Sequence, residues 1–172
     1  MAFSTNIRLA TPSDAAFGRA AAAAAGLLWS NETMRTYYDD PDIVIGIGEI
    51  RWPEQGIPVD TPCGLIMARK RSATEIEVLL LAIDPAVLPD VPVNVTRRRT
   101  IIDRVLRRAL EIAVGRGFTT GYAKVAKSAT KMTAYVESIT GVTIIDDPET
   151  ALRNRYSMNL TAAITFLQTR SG

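Results

Sequence analysis

The sequence predicts a single α/β domain: a mixed, mostly antiparallel sheet with helices on both faces. Three observations carry this. Short runs of strand composition recur between Ile7 and Leu160, with helix-period segments between them. The run Glu75–Ile83 (EIEVLLLAI) starts in alternation and becomes continuously apolar, as a central strand buried on both faces requires. From Thr100 onward, Ile102, Val105, Leu106, Ala109, Leu110 and Ala113 share one side of a helix, with Arg104, Arg107, Arg108 and Glu111 opposite.

Taken in order, Ile7–Ala10 reads as a first strand, ending at TPSD. Thr11 there can cap a helix, Pro12 suits its first position, and Asp14 favours its positive end. The helix continues into six alanines, Ala20–Ala25, whose small side chains suit a close-packed contact. A second helical piece covers Asn31–Tyr38. Ile43–Ile50 (IVIGIGEI) has strand composition, with Gly46 and Gly48 on one face. Arg51–Pro62, with three prolines and a glycine, reads as a loop or wide turn.

Gly64–Arg69 and Glu75–Ile83 are the next strands. Asp84–Val95 contains Pro85, Pro89 and Pro92 and cannot be helix throughout. The amphipathic helix from near Thr100 ends at the GRGF of residues 115–118. Thr119–Val125 then reads as strand, Ser128–Thr140 as helix with Gly141 as its stop, and Val142–Ile145 and Arg155–Leu160 as strands joined by the turn DDPET. Residues 1–172 form one domain in this reading. Residues 161–172 make a C-terminal docking tail that either closes the domain's own sheet or enters a partner.

Composition narrows the chemistry. The 172 residues contain no histidine and one cysteine, Cys63. That removes the commonest general base, histidine-dependent nucleophile arrangements and most zinc sites, so no metal is expected. Cys63, inside an apolar run, reads as a small core residue. Net charge is only +2. No segment has the roughly 18 apolar residues of a membrane span, so the expectation is a soluble, cytoplasmic protein.

Charge is concentrated in one place. Arg97–Arg116 holds seven arginines against Asp103 and Glu111, a local +5. Three of them, Arg97–Arg99, sit at a helix N-terminus, where they oppose the macrodipole and call for an anionic partner. No aromatic residues interleave for base stacking, which argues against nucleic acid.

The order of elements, with four local signatures, resembles the GNAT superfamily of CoA-dependent N-acyltransferases. IRLATPSDA is similar to the family's opening strand and first-helix cap, and LLLAIDPAV to the end of its fourth strand at Ile83. RRRTIIDRVLRRALEIAVGRGF is similar to its pyrophosphate loop and following helix. SATKMTAYVESITGV is similar to its late tyrosine-bearing helix. The resemblance implies acetyl-CoA bound where the fourth and fifth strands splay, with an amine attacking its thioester.

Residue by residue, Arg97, Arg98, Arg99, Thr100, Ile101 and Ile102 align with the family's Q/R-x-x-G-x-G/A loop. Thr100 and Ile102 stand at its two glycine positions, so the loop reads as degenerate, with arginine side chains taking over the grip on the diphosphate. Ser128 occupies a position where asparagine is common. Glu77, sharing a strand face with Glu75, is the expected base, and Tyr135 matches the tyrosine that protonates the departing thiolate.

Two functional readings follow. In one the chain is an N-acyltransferase acting on a small-molecule or protein amine. In the other it is a non-catalytic structural or assembly module, for example in a viral particle. The arginine helix and C-terminal tail would then contact protein partners or a second copy.

Overall fold

A computed structural model describes residues 3–24, 30–83, 95–145 and 152–171, excluding the side chains of residues 24, 31, 32, 83 and 95–98. The proline-rich segment 84–94, the end of the alanine block and the DDPET turn lie outside the described residues. The elements are β1 (Ser4–Leu9), α1 (Ala15–Ala24), α2 (Asn31–Asp39), β2 (Ile43–Trp52), β3 (Ile57–Lys70) and β4 (Glu75–Ile83). They continue with α3 (Val95–Gly115), β5 (Thr120–Ala126), α4 (Thr130–Glu137), β6 (Val142–Ile145), β7 (Arg153–Asn159) and α5 (Leu160–Ser171).

The strands form a seven-stranded sheet in the order β1-β2-β3-β4-β5-β7-β6. Every pairing is antiparallel except β4 with β5. Helices α1 and α2 cover β2, β3 and β4 on one face, burying Ala21, Ala22, Ile45, Ile47, Leu65, Met67 and Leu80. Helix α3 crosses β1 and β2 on the other face, with Ile101 and Val105 against Phe3, Trp52 and Ile66. Beside it Leu106, Leu110, Val125, Tyr135, Tyr156 and Leu167 close a second cluster on that face.

Local chemistry sets the ends. Asp14 accepts the Thr11 backbone N–H at 2.8 Å, as the TPSD motif predicts, and also both guanidinium nitrogens of Arg8 at 2.8 and 2.9 Å. Ser30 caps α2 by accepting the Thr33 amide at 3.1 Å. A Cβ on Gly48 would lie 2.8 Å from Val105 Cγ1, so glycine there lets α3 approach β2.

Two sequence expectations are corrected. Arg51–Pro62 is not an extended loop: after a single turn at Pro53–Gln55 the chain is already in β3. Pro58 and Pro62 are tolerated because β4 pairs with β3 only from Gly64 to Lys70, so one side of the earlier segment needs no N–H donors. The C-terminal docking tail adds no strand to the sheet and folds onto its own domain. It is helix α5, packed on α3 with Leu160, Ala163 and Leu167 fully buried.

Candidate active site in a fork between two strands

The parallel ladder of β4 and β5 is short. It pairs Glu75–Val78 with Thr120–Ala123, yet β4 continues to Ile83 and β5 to Ala126. Beyond Val78 and Ala123 the sheet therefore opens into a fork. Its cause is local. Met67 of β3 pairs with Leu80 while Ala68 pairs with Val78, leaving Leu79 as an extra residue in β4. Such a bulge bends and twists the strand that carries it.

Helix α3 returns alongside this opening. Its C-terminal end leads to Thr119, whose N–H bonds the carbonyl of Thr74 at 2.9 Å, beside the start of β4. Twenty-one helical residues and nine strand residues both span about 30 Å, so the first turn of α3 lies towards the fork end of β4. That turn contains no acidic residue. Free N–H groups at a helix start favour an anion, and the free edge of β4 can bond an extended amide chain.

Arg97 through Ile102 all lie within α3, and no described non-glycine residue has positive φ. The expectation of a degenerate loop is thereby corrected. Thr100 and Ile102 occupy right-handed helical positions, where glycine has no advantage. Ile101 is fully buried with Phe3 and Trp52, and Ile102 packs half-buried on the second cluster. Thr100 is half-buried and Arg99 is exposed. The side chains of Arg97, Arg98 and Ile83 lie outside the described residues; the Ile83 backbone pairs with Gly64. Ser128 is exposed in the turn that follows β5.

Glu77 lies one step before the fork opens, paired with Tyr122 across the ladder. Its carboxylate is buried, 7% exposed, and ion-paired to Arg71. Glu75, on the same face, accepts the Tyr122 hydroxyl at 2.7 Å and the Ser72 hydroxyl at 3.3 Å. This face carries α1.

Tyr135 is on the other side of the sheet. Its hydroxyl donates to Asp103 Oδ1 at 2.9 Å, and burial together with the Asp103 charge raises its pKa. Asp103, 1% exposed, also accepts two bonds of 2.7 Å from Arg170, which donates a third at 2.7 Å to Ser138. The structure thus separates Glu77 and Tyr135, and gives the tyrosine partners that sequence reasoning missed. A signal existed: Asp103, Leu106 and Leu110 fall at i, i+3 and i+7, so the acid lies on the apolar stripe.

Solved structures match more than nine-tenths of this chain. A domain from Methanocaldococcus jannaschii aligns with a TM-score of 0.71 at 13% identity, covering 92% of this chain and 99% of that one. The ribosomal-protein-S18-alanine N-acetyltransferase of Escherichia coli aligns at 0.65 and 13%, over 91% and 94% of the two chains. The chain has the GNAT fold. A second N-acetyltransferase among the matches is the spermidine N-acetyltransferase of Vibrio cholerae in complex with CoA and spermine. It aligns at 0.65 and 12%, over 93% and 98%. No family model matches the sequence, and no curated protein matches it. The likeness is one of fold, at low residue identity. No described helix is long and apolar enough to cross a membrane.

Proposed function

We propose that this chain is an N-acyltransferase that moves an acetyl group from acetyl-CoA to a primary amine. The observation that carries the reading is the fork opened by the Leu79 bulge, in a fold shared with an enzyme solved with CoA and spermine.

The residues fit that cofactor. The inner edge of β4 beyond Val78 has no ladder partner on β5, and suits the amides of an extended pantetheine. The α3 N-terminus has no acid in its first turn and carries Arg97–Arg99, which suits a diphosphate. Ser128 lies beyond the end of β5 and would flank the bound chain. Bound acetyl-CoA supplies an acetyl thioester activated for attack by an amine.

The chain's own groups then orient the amine and manage its proton. Glu77, on the face that carries α1, is the base that takes the ammonium proton, directly or through water, with Arg71 holding its carboxylate. Tyr135 is harder to place as the acid. Its proton is directed at Asp103, and its raised pKa makes it a poor donor to a thiolate, whose ordinary conjugate-acid value is about 8.5. We assign it instead a positioning role, tying α4 to α3 and α5. No observation favours the alternative of a structural or viral-particle component.

Thermal unfolding with acetyl-CoA tests the reading. Ligand at about 100 times its dissociation constant adds about 2.7 kcal/mol of stability. No shift at millimolar acetyl-CoA would sink it. A shift that survives alanine at Arg97, Arg98 and Arg99 together would place the diphosphate elsewhere.

A further inference from the structure

The chain is poor in the side chain that an acetyl thioester turns into an amide. Of its 20 lysines and arginines only four are lysine: Lys70, Lys124, Lys127 and Lys131. Three of these fall within eight residues, which run from the fork along β5 and into α4. Lys70 is exposed at the opposite end of the sheet, paired with Ile76 near the start of β4.

The register singles out Lys124. Glu77 and Tyr122 are partners across the ladder, and the Tyr122 hydroxyl bonds Glu75, so all three side chains share the face that carries α1. Alternation along β5 returns Lys124 to that face, with Val125 buried in the cluster on the other. The ladder ends at Ala123. Lys124 is therefore the first β5 residue beyond it, half-buried and on the side of the expected base. Across the gap β4 shows Leu80 and Ala82 to this face, under α1. Lys127 and Lys131 are exposed and lie past the end of β5.

We propose that Lys124 is an acetyl acceptor within the enzyme itself, modified when acetyl-CoA occupies the fork. This rests on the acyltransfer reading above. The Lys124 ammonium gives one proton to Glu77, directly or through water, and its freed lone pair attacks the acetyl carbon. The C–N bond forms and the C–S bond breaks. The second proton lost by Nζ passes through water to the departing sulfur, and Glu77 returns the first to solvent. The product is an amide, which does not pass its acetyl group on to a second amine. The modification is therefore terminal, and it fills the face from which an acceptor reaches Glu77.

The test uses full-length protein and follows each lysine by peptide mass spectrometry, with binding read separately by thermal shift. With acetyl-CoA, Lys124 should be acetylated about tenfold faster than Lys70, at a rate independent of protein concentration. Glu77→Gln should remove that advantage and keep the thermal shift. Lys124→Arg should also keep the shift and leave Lys127 and Lys131 at the background rate of Lys70. With no acyl transfer possible, saturating CoA should shield Lys124, and not Lys70, from labelling by a succinimidyl ester.

Acetyl-CoA that binds while Lys124 reacts no faster than Lys70 would overturn the proposal and spare the cofactor site. So would preferred acetylation of Lys127 or Lys131, an advantage that Glu77→Gln leaves intact, or CoA that fails to shield Lys124. Absence of any thermal shift with acetyl-CoA would end the acyltransfer reading as well.

Discussion

Asp103 and Arg170 lie 67 residues apart and meet through two hydrogen bonds of 2.7 Å, with the carboxylate 1% exposed. The bridge joins the third turn of α3 to the last turn of α5. Breaking it from one side strands a charge in the core. Asp103→Ala should cost about 3 kcal/mol in urea unfolding, whereas replacing both partners with apolar residues, Asp103→Leu with Arg170→Met, should be close to neutral. Equal losses from the single and double variants would mean the pair is a net source of stability.

Glu77 and Tyr135 separate under kinetics. Glu77→Gln should lower kcat by about 10²-fold or more if it takes the proton. Tyr135→Phe removes one bond to Asp103 and should cost about 1–2 kcal/mol of stability while changing kcat less than tenfold. A drop of a hundredfold in the phenylalanine variant would return the tyrosine to the role of acid.

Asp14 gives the fold an acid-sensitive clasp. The Arg8 guanidinium, aided by the Thr11 amide, holds its pKa down at about 2, against burial that acts to raise it. A depressed value means the bond contributes stability above about pH 4 and loses it as pH falls towards 2. Arg8 is part-exposed, so the loss is modest, about 1 kcal/mol after screening. Asp14→Asn should lose less stability than wild type between pH 6 and pH 2.5, measured as the urea midpoint.

Gly48→Ala tests the approach of α3 to β2. The added Cβ would meet Val105 Cγ1 at 2.8 Å, and such overpacking costs about 1–3 kcal/mol. A double cycle with Val105→Ala should recover at least about 0.5 kcal/mol as coupling. Additive losses would place the strain elsewhere.

Much of the fold could be read from the chain because its signals are local. The cap at Thr11–Asp14, the apolar run of β4 and the stripe of α3 each declare themselves within a dozen residues. Less visible were features set by neighbours. Pro58 and Pro62 suggested a loop, and only the later start of β4 pairing explains why a strand accepts them. The last twelve residues read as a tail because nothing local announces that Leu160, Ala163 and Leu167 meet α3. At the site, Glu77 was found from its place on a strand face. Its ion-pair partner Arg71 was not, since only the turn between β3 and β4 brings the two together.

The extra residue at Leu79 also resets the phase of β4. Before it, odd-numbered Glu75 and Glu77 point to the α1 side; after it, even-numbered Leu80 and Ala82 do. One strand can therefore show charge to a reacting centre and grease to a helix on the same face. Removing that single residue would leave Leu80 opposite Met67 and Ala82 opposite Leu65 on the α1 side, yet straighten the strand and close the gap it opened, so its loss would spare the core and cost the site.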